Sequence, residues 1–119
     1  MKRDIEFLRL VLLKIEESDN EIELISEMKN YGHDLEYSYE QLNLMNDAGL
    51  FLSPTLSFET YRVKTLSNKG YDLLDKIKNK KNWKKLQQNV EKGKSTKVAE
   101  FFGVFFGSLI SSFFYNIKN

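Results

Sequence analysis

His33 is the single histidine of a 119-residue chain, and Asp34 follows it directly. A histidine beside a carboxylate is the usual material of a general base, but a base needs a group to activate. The chain has no cysteine, and no serine stands in the sharp strand-to-helix turn that exposes a nucleophilic hydroxyl. His33 is therefore expected to be a loop histidine without a catalytic part, replaceable by alanine with fold and function unchanged. Asp19, Glu21 and Glu23 are spaced as calcium ligands are. The glycine and the closing glutamate of a calcium loop are missing around them, so they read as solvated. Gly103 and Gly107 lie inside an apolar segment, not in a phosphate loop. These residues predict a protein that is not an enzyme, with no catalytic residue, no metal and no cofactor.

The charged residues point instead to phosphate. A net charge of +1 conceals a division: Met1 to Tyr61 holds 5 basic and 13 acidic residues, a net of −8, and Arg62 to Asn119 holds 13 basic and 4 acidic, a net of +9. Arg62, Lys64 and Lys69 lead into a run of Lys76, Lys78, Lys80, Lys81, Lys84 and Lys85. Lysines are hydrated point charges, so their contacts with DNA or RNA would be largely sequence-neutral. The same run serves equally well as a solubilising face. From Glu16 to Tyr61 there are eleven acids and one base, Lys29. Gln41, Asn43 and Asn46 in that stretch could reach base edges, but nothing beside them neutralises phosphate.

The third chemistry is apolar. Phe101 to Ile117 is seventeen residues without a charge, about 26 Å of helix, against the roughly 30 Å of a bilayer core. On a helix, Phe101, Phe102, Phe105, Phe106, Leu109, Ile110 and Phe113 share a broad arc. Gly103, Gly107 and Ser111 line a narrow stripe that would let a second helix approach closely. Three arrangements cover such an arc: docking on the chain's own domain, pairing in a homodimer, or contact with a membrane. The expectation taken forward is a dimer.

Behind these groups stand the elements that must carry them. Arg3 to Glu17 is predicted helical, with Ile5, Leu8, Leu12 and Ile15 on one stripe and Val11 beside it. Ser18-Asp19-Asn20 break it. Ile22 to Asn30 has the spacing of a short second helix that Gly32 would end in a left-handed turn, although Glu21 to Leu24 also alternates as a strand does. Ser38 is the expected cap of a third helix carrying Leu42, Leu44 and Met45 and ending at Gly49. Leu50–Leu52 and Tyr61–Leu66 are predicted as two strands, with Pro54 in the loop between them. Ser67 caps a fourth helix with Tyr71, Leu74 and Ile77 inward. An interruption over Asn79–Asn82 precedes a restart at Trp83, Leu86 and Val90 that Gly93 ends. The result is a mainly α chain: a winged helix-turn-helix domain over 1–93, with a two-stranded hairpin wing, and a C-terminal helical extension over 94–119. The absence of cysteine and of a signal-peptide pattern suits the cytoplasm, with the inner membrane face as the alternative.

Three stretches carry a resemblance: MKRDIEFLRLVLLKIEES at the start, EQLNLMNDAGLF in the middle and LSNKGYDLLDKIKNKKNWKKLQ later. They resemble the domain of unknown function 2513 family, small bacterial and prophage proteins. Its members open M-K-R-D, end the third helix in A-G-L, leave the wing through L-T-x-x-G-x-x-F-L and have a tryptophan downstream. The counterparts here are Met1 to Asp4, Ala48-Gly49-Leu50, Leu66 to Leu74 and Trp83. The likeness covers about residues 1–92 and implies a winged-helix fold without implying an activity. The chain departs at Glu40-Gln41, where a Tyr-His pair is usual, and in its more aromatic C-terminal segment. Together these readings predict a non-catalytic phage-type accessory protein that binds nucleic acid weakly through the basic wing and the helix after it. The alternative is a protein-interaction module, an inhibitor of a host protein or defence system, using the acidic face and the aromatic helix.

Overall fold

The computed structural model describes residues 4–92, a mainly helical chain with a small three-stranded antiparallel sheet. Helix α1 spans Ile5–Glu17 and buries Phe7, Leu8, Val11, Leu12 and Ile15. The cap is Asp4, whose Oδ1 accepts the amides of Glu6 and Phe7. Strand β1, Ile22–Glu23, runs directly into helix α2, Leu24–Lys29. The helix expected from Ile22 thus begins two residues late, because Ile22 and Glu23 pair with a later strand. Gly32 has φ +86, as its turn requires.

Helix α3 spans Leu35–Asp47 and is capped by Asp34, which accepts the Tyr37 amide at 2.8 Å. Ser38, the expected cap, is instead one turn inside and fully buried. An earlier carboxylate displaces it, and that carboxylate is Asp34. Gly49 ends the helix at φ +79.

The hairpin also differs from expectation. Strands β2, Thr55–Ser57, and β3, Thr60–Val63, pair Thr55 with Arg62, Leu56 with Tyr61 and Ser57 with Thr60. The turn is Phe58-Glu59, and Pro54 lies ahead of β2, not in the loop. Phe51 and Leu66, placed within the expected strands, meet only in an isolated bridge. The sheet order is β1-β3-β2. Pro54, lacking an N–H, therefore leads into an edge strand, where a missing donor is tolerated.

Helix α4, Asn68–Lys78, is capped by Ser67 as expected and buries Gly70, Leu73, Leu74 and Ile77. Tyr71, expected inward, is 38% exposed and its hydroxyl hydrogen-bonds Thr65 Oγ1 at 2.8 Å. The interruption expected over four residues is the single residue Asn79. Its Oδ1 accepts the amides of Lys81 and Asn82 and so starts helix α5, Lys80–Lys92. Helices α1 to α4 share one core with β3, whose Tyr61 and Val63 are both fully buried in it. Gly93 and the extension from 94 lie outside the described residues. Among the described residues no helix is long and apolar enough to cross a membrane.

Candidate nucleic-acid interface

The lysines at the start of α5 share a face because of their spacing. At 100° per residue, positions 80, 81, 84 and 85 fall within an arc of about 140°. All four residues are exposed. Trp83 falls outside that arc and packs, half-buried, against the core. The Arg9 guanidinium of α1 lies over its ring, 5.3 Å from the centroid. Asn82 Nδ2 donates to the Lys76 carbonyl at 2.9 Å and holds the α4–α5 corner. One side of α5 is thus fastened to the domain and the other presents cations.

The remaining predicted cations are less concentrated. Lys69 is exposed and Lys76 half-buried on one flank of α4, but the exposed Asp72 and Asp75 occupy the ridge between the flanks. Lys78 Nζ donates to Glu16 Oε1 at 2.7 Å, a bond that raises its pKa and pairs its charge with an acid of α1. On β3, Tyr61 and Val63 point inward while Arg62 is exposed, as is Lys64 just past the strand. Arg62 approaches Glu21 at 3.9 Å, both side chains about half exposed, which is a weak pair. A continuous stripe from Arg62 to Lys85 is interrupted by acids on α4.

The face of α3 is acidic. Glu36, Glu40 and Asp47 are exposed and the helix carries no base. Two of its side-chain amides have structural partners. Gln41 is 2% exposed, and its Oε1 accepts the Asp4 amide at 3.0 Å. Asn43 Oδ1 accepts from the Tyr61 hydroxyl at 3.4 Å, as the Leu42 carbonyl does at 3.3 Å. Of the three amides that the sequence places within reach of base edges, Gln41 is buried and Asn43 is engaged from within. Burial holds the Tyr61 phenol well above its ordinary pKa, keeping it a donor.

Two groups that the sequence reading passed over organise this region. Asp4 caps α1 and also accepts the Tyr37 hydroxyl through Oδ2, at 2.5 Å; burial and this bond raise the Tyr37 pKa. Its position just before the first apolar stripe was the available signal. Glu23, counted among the calcium-like acids, caps α2 and reaches β3, where its Oε2 accepts the Tyr61 amide at 2.9 Å. Among the described residues no group of three acids, histidines or cysteines could hold a metal.

His33 is part of an aromatic cluster. Its ring stacks on Tyr37 at 5.2 Å and 15°, and meets Phe7 edge-on at 5.2 Å. The expectation that its loss is silent for the fold does not survive this packing. Aromatic pairs contribute about 0.5–1.5 kcal/mol each, so His33→Ala should cost about 1–2 kcal/mol in urea unfolding. A midpoint unchanged from the parent would show the stacking to be idle.

The family motifs meet in space at one corner. Ser67 Oγ donates to the Gly49 carbonyl at 2.5 Å and accepts the Gly70 amide at 3.1 Å, while the Ser67 amide donates to Leu50 O at 2.9 Å. The A-G-L and L-S-x-x-G segments are therefore two halves of a single contact. They also line an open hollow of about 440 Å³ with Leu52, Leu66, Asn68 and Lys69. The family model described as "Hypothetical protein (DUF2513)" matches residues 2–97. No curated protein and no solved structure matches the chain.

Proposed function

The chain belongs to this DUF2513 family, and on that footing we propose that it is a non-catalytic winged-helix protein that grips nucleic acid by its phosphates. The element order favours the winged-helix reading: helix, short strand, two helices, then a hairpin whose second strand pairs with the first strand. The observation that carries the binding mode is α5, anchored through Trp83 and presenting Lys80, Lys81, Lys84 and Lys85 together. Contact centres there and extends to Lys69 and to Arg62 and Lys64 on the wing. An acidic α3 repels the backbone, so ordinary recognition-helix docking is disfavoured and binding is sequence-neutral. In this reading the protein is a cytoplasmic, phage-type accessory factor that acts by occupancy. The aromatic segment from 101 to 113, in residues outside those described, would pair two copies.

The test is charge reversal. Changing Lys80, Lys81, Lys84 and Lys85 to glutamate alters only exposed positions and should leave the fold intact. Binding to a random duplex at low salt should be abolished. In the parent, log affinity should fall against log salt with a slope of about −0.9 per phosphate contact. A variant that binds as tightly as the parent would refute this reading. The exposed acids of α3, beside the exposed Leu35, favour a second reading in which that face takes a basic protein partner. Such binding would survive the lysine reversals and fail in a Glu36→Lys, Glu40→Lys variant.

A further inference from the structure

The wing tip is the least economical place in the molecule to keep a large aromatic ring. Phe58 is 88% exposed, more than any other large apolar side chain described. Nothing among the described residues covers it. The turn that presents it is nonetheless tightly made. Glu59 takes φ +61, a left-handed conformation that residues other than glycine adopt at a cost. The flanking hydroxyls of Ser57 and Thr60 are hydrogen-bonded to each other across the turn. Three paired positions then bind β2 to β3. The ring therefore stands on a braced hairpin, and does not hang from a loose loop.

Its surroundings favour one occupant. The registers Thr55–Arg62 and Ser57–Thr60 put two hydroxyls of β2, one of β3 and a guanidinium on the same face of the ribbon, the face opposite Tyr61 and Val63. Among the described residues Arg62 makes one ion pair, the long contact to Glu21 at 3.9 Å, which leaves its charge open to a phosphate. Glu59, beside the ring, repels phosphate at the tip itself. An uncharged aromatic face with phosphate attraction behind it and repulsion in front accepts a base and not the backbone. We infer that Phe58 is a stacking platform for an unpaired nucleobase, with Arg62 holding a phosphate of the same strand. This gives the protein a preference for single-stranded or locally opened nucleic acid. The inference rests on the phosphate-binding reading above but uses a different residue and a different force. Base–aromatic stacking tolerates any sequence, because every base has a π face.

The experiment measures fluorescence anisotropy of a labelled oligothymidine of roughly twelve nucleotides and of a duplex of equal length, using the full chain. Phe58→Ala should weaken the single strand about fivefold to a hundredfold, the range for loss of one stacked base. It should leave duplex affinity and the salt slope unchanged, and Phe58→Trp should restore single-strand binding. The site is exposed, so a thermal melt matching the parent verifies the fold. Equal loss on both probes, or no loss on the single strand, overturns the stacking assignment while phosphate binding by α5 stands. If the parent binds neither probe at low salt, both readings fall together.

Discussion

Gly70→Ala is expected to cost at least about 3 kcal/mol of stability and to leave the domain largely unfolded at physiological temperature. A Cβ at position 70 would lie 2.3 Å from the Leu50 carbonyl oxygen and 3.0 Å from Leu66 Cβ. The first neighbour is backbone, which cannot swing aside as a side-chain end can. To make room, α4 must withdraw from the end of α3, stretching the bonds from the Ser67 amide to Leu50 O and from Ser67 Oγ to Gly49 O. Leu66, Leu73 and Leu74, all buried, would move with it. Alanine is the better helix former by about 1 kcal/mol, so helix propensity alone predicts the opposite sign. A thermal melt decides between them: for a domain of this size the clash implies a fall in Tm of 12 °C or more, at about 4–8 °C per kcal/mol. Gly32→Ala is the companion measurement. Its Cβ meets nothing within 4 Å, although φ is +86, so it should cost only the strain of about 1 kcal/mol.

That corner also shows what a single sequence makes legible. Ser67 as a cap, Gly49 as a helix end and the stripes of α1 and α4 depend on neighbours within a turn or two, and local chemistry displays them directly. The exact hairpin was hidden because its turn, Phe58-Glu59, lacks glycine and asparagine. A hydroxyl pair and a left-handed glutamate replace them, and neither advertises a turn in advance. Ser38 lost its capping role to Asp34 for a related reason: two acceptable caps lay four residues apart, and burial of Ser38 in the packed helix chose between them. For the candidate interface, the lysine spacing on α5 was readable. What Lys78 and Gln41 do was not, because Glu16 is 62 residues from the former and Asp4 is 37 from the latter. Long-range partners decide whether a polar residue faces a ligand or serves the fold.

Glu23 is the strongest instance, and its replacement carries the second large effect. Glu23→Gln, nearly the same shape, is expected to destabilise by about 2–4 kcal/mol, because each carboxylate oxygen accepts twice. Oε2 takes the amides of Ile25 at 2.8 Å and Tyr61 at 2.9 Å; Oε1 takes the amide of Ser26 at 3.1 Å and its hydroxyl at 2.8 Å. A glutamine turns one of these acceptors into a donor: at the Oε2 position it faces two backbone amides, and at the Oε1 position it faces the Ser26 amide while the Ser26 hydroxyl can turn to accept. The loss unties the start of α2 from β3 and with it Tyr61, whose amide joins the two. Partial burial pushes the Glu23 pKa up, but the Tyr61 and Ile25 amides and Ser26 outweigh it, and the net shift is below the ordinary 4.5. A carboxyl depressed in the folded state stabilises fully above its unfolded pKa, and that contribution fades as pH falls through the folded value. Urea unfolding of parent and Glu23→Gln should therefore differ most near neutrality, with the gap narrowing as pH falls below the ordinary carboxyl value of 4.5. A gap that stays constant down to pH 3 would mean that the carboxylate charge is not what holds α2 to the sheet.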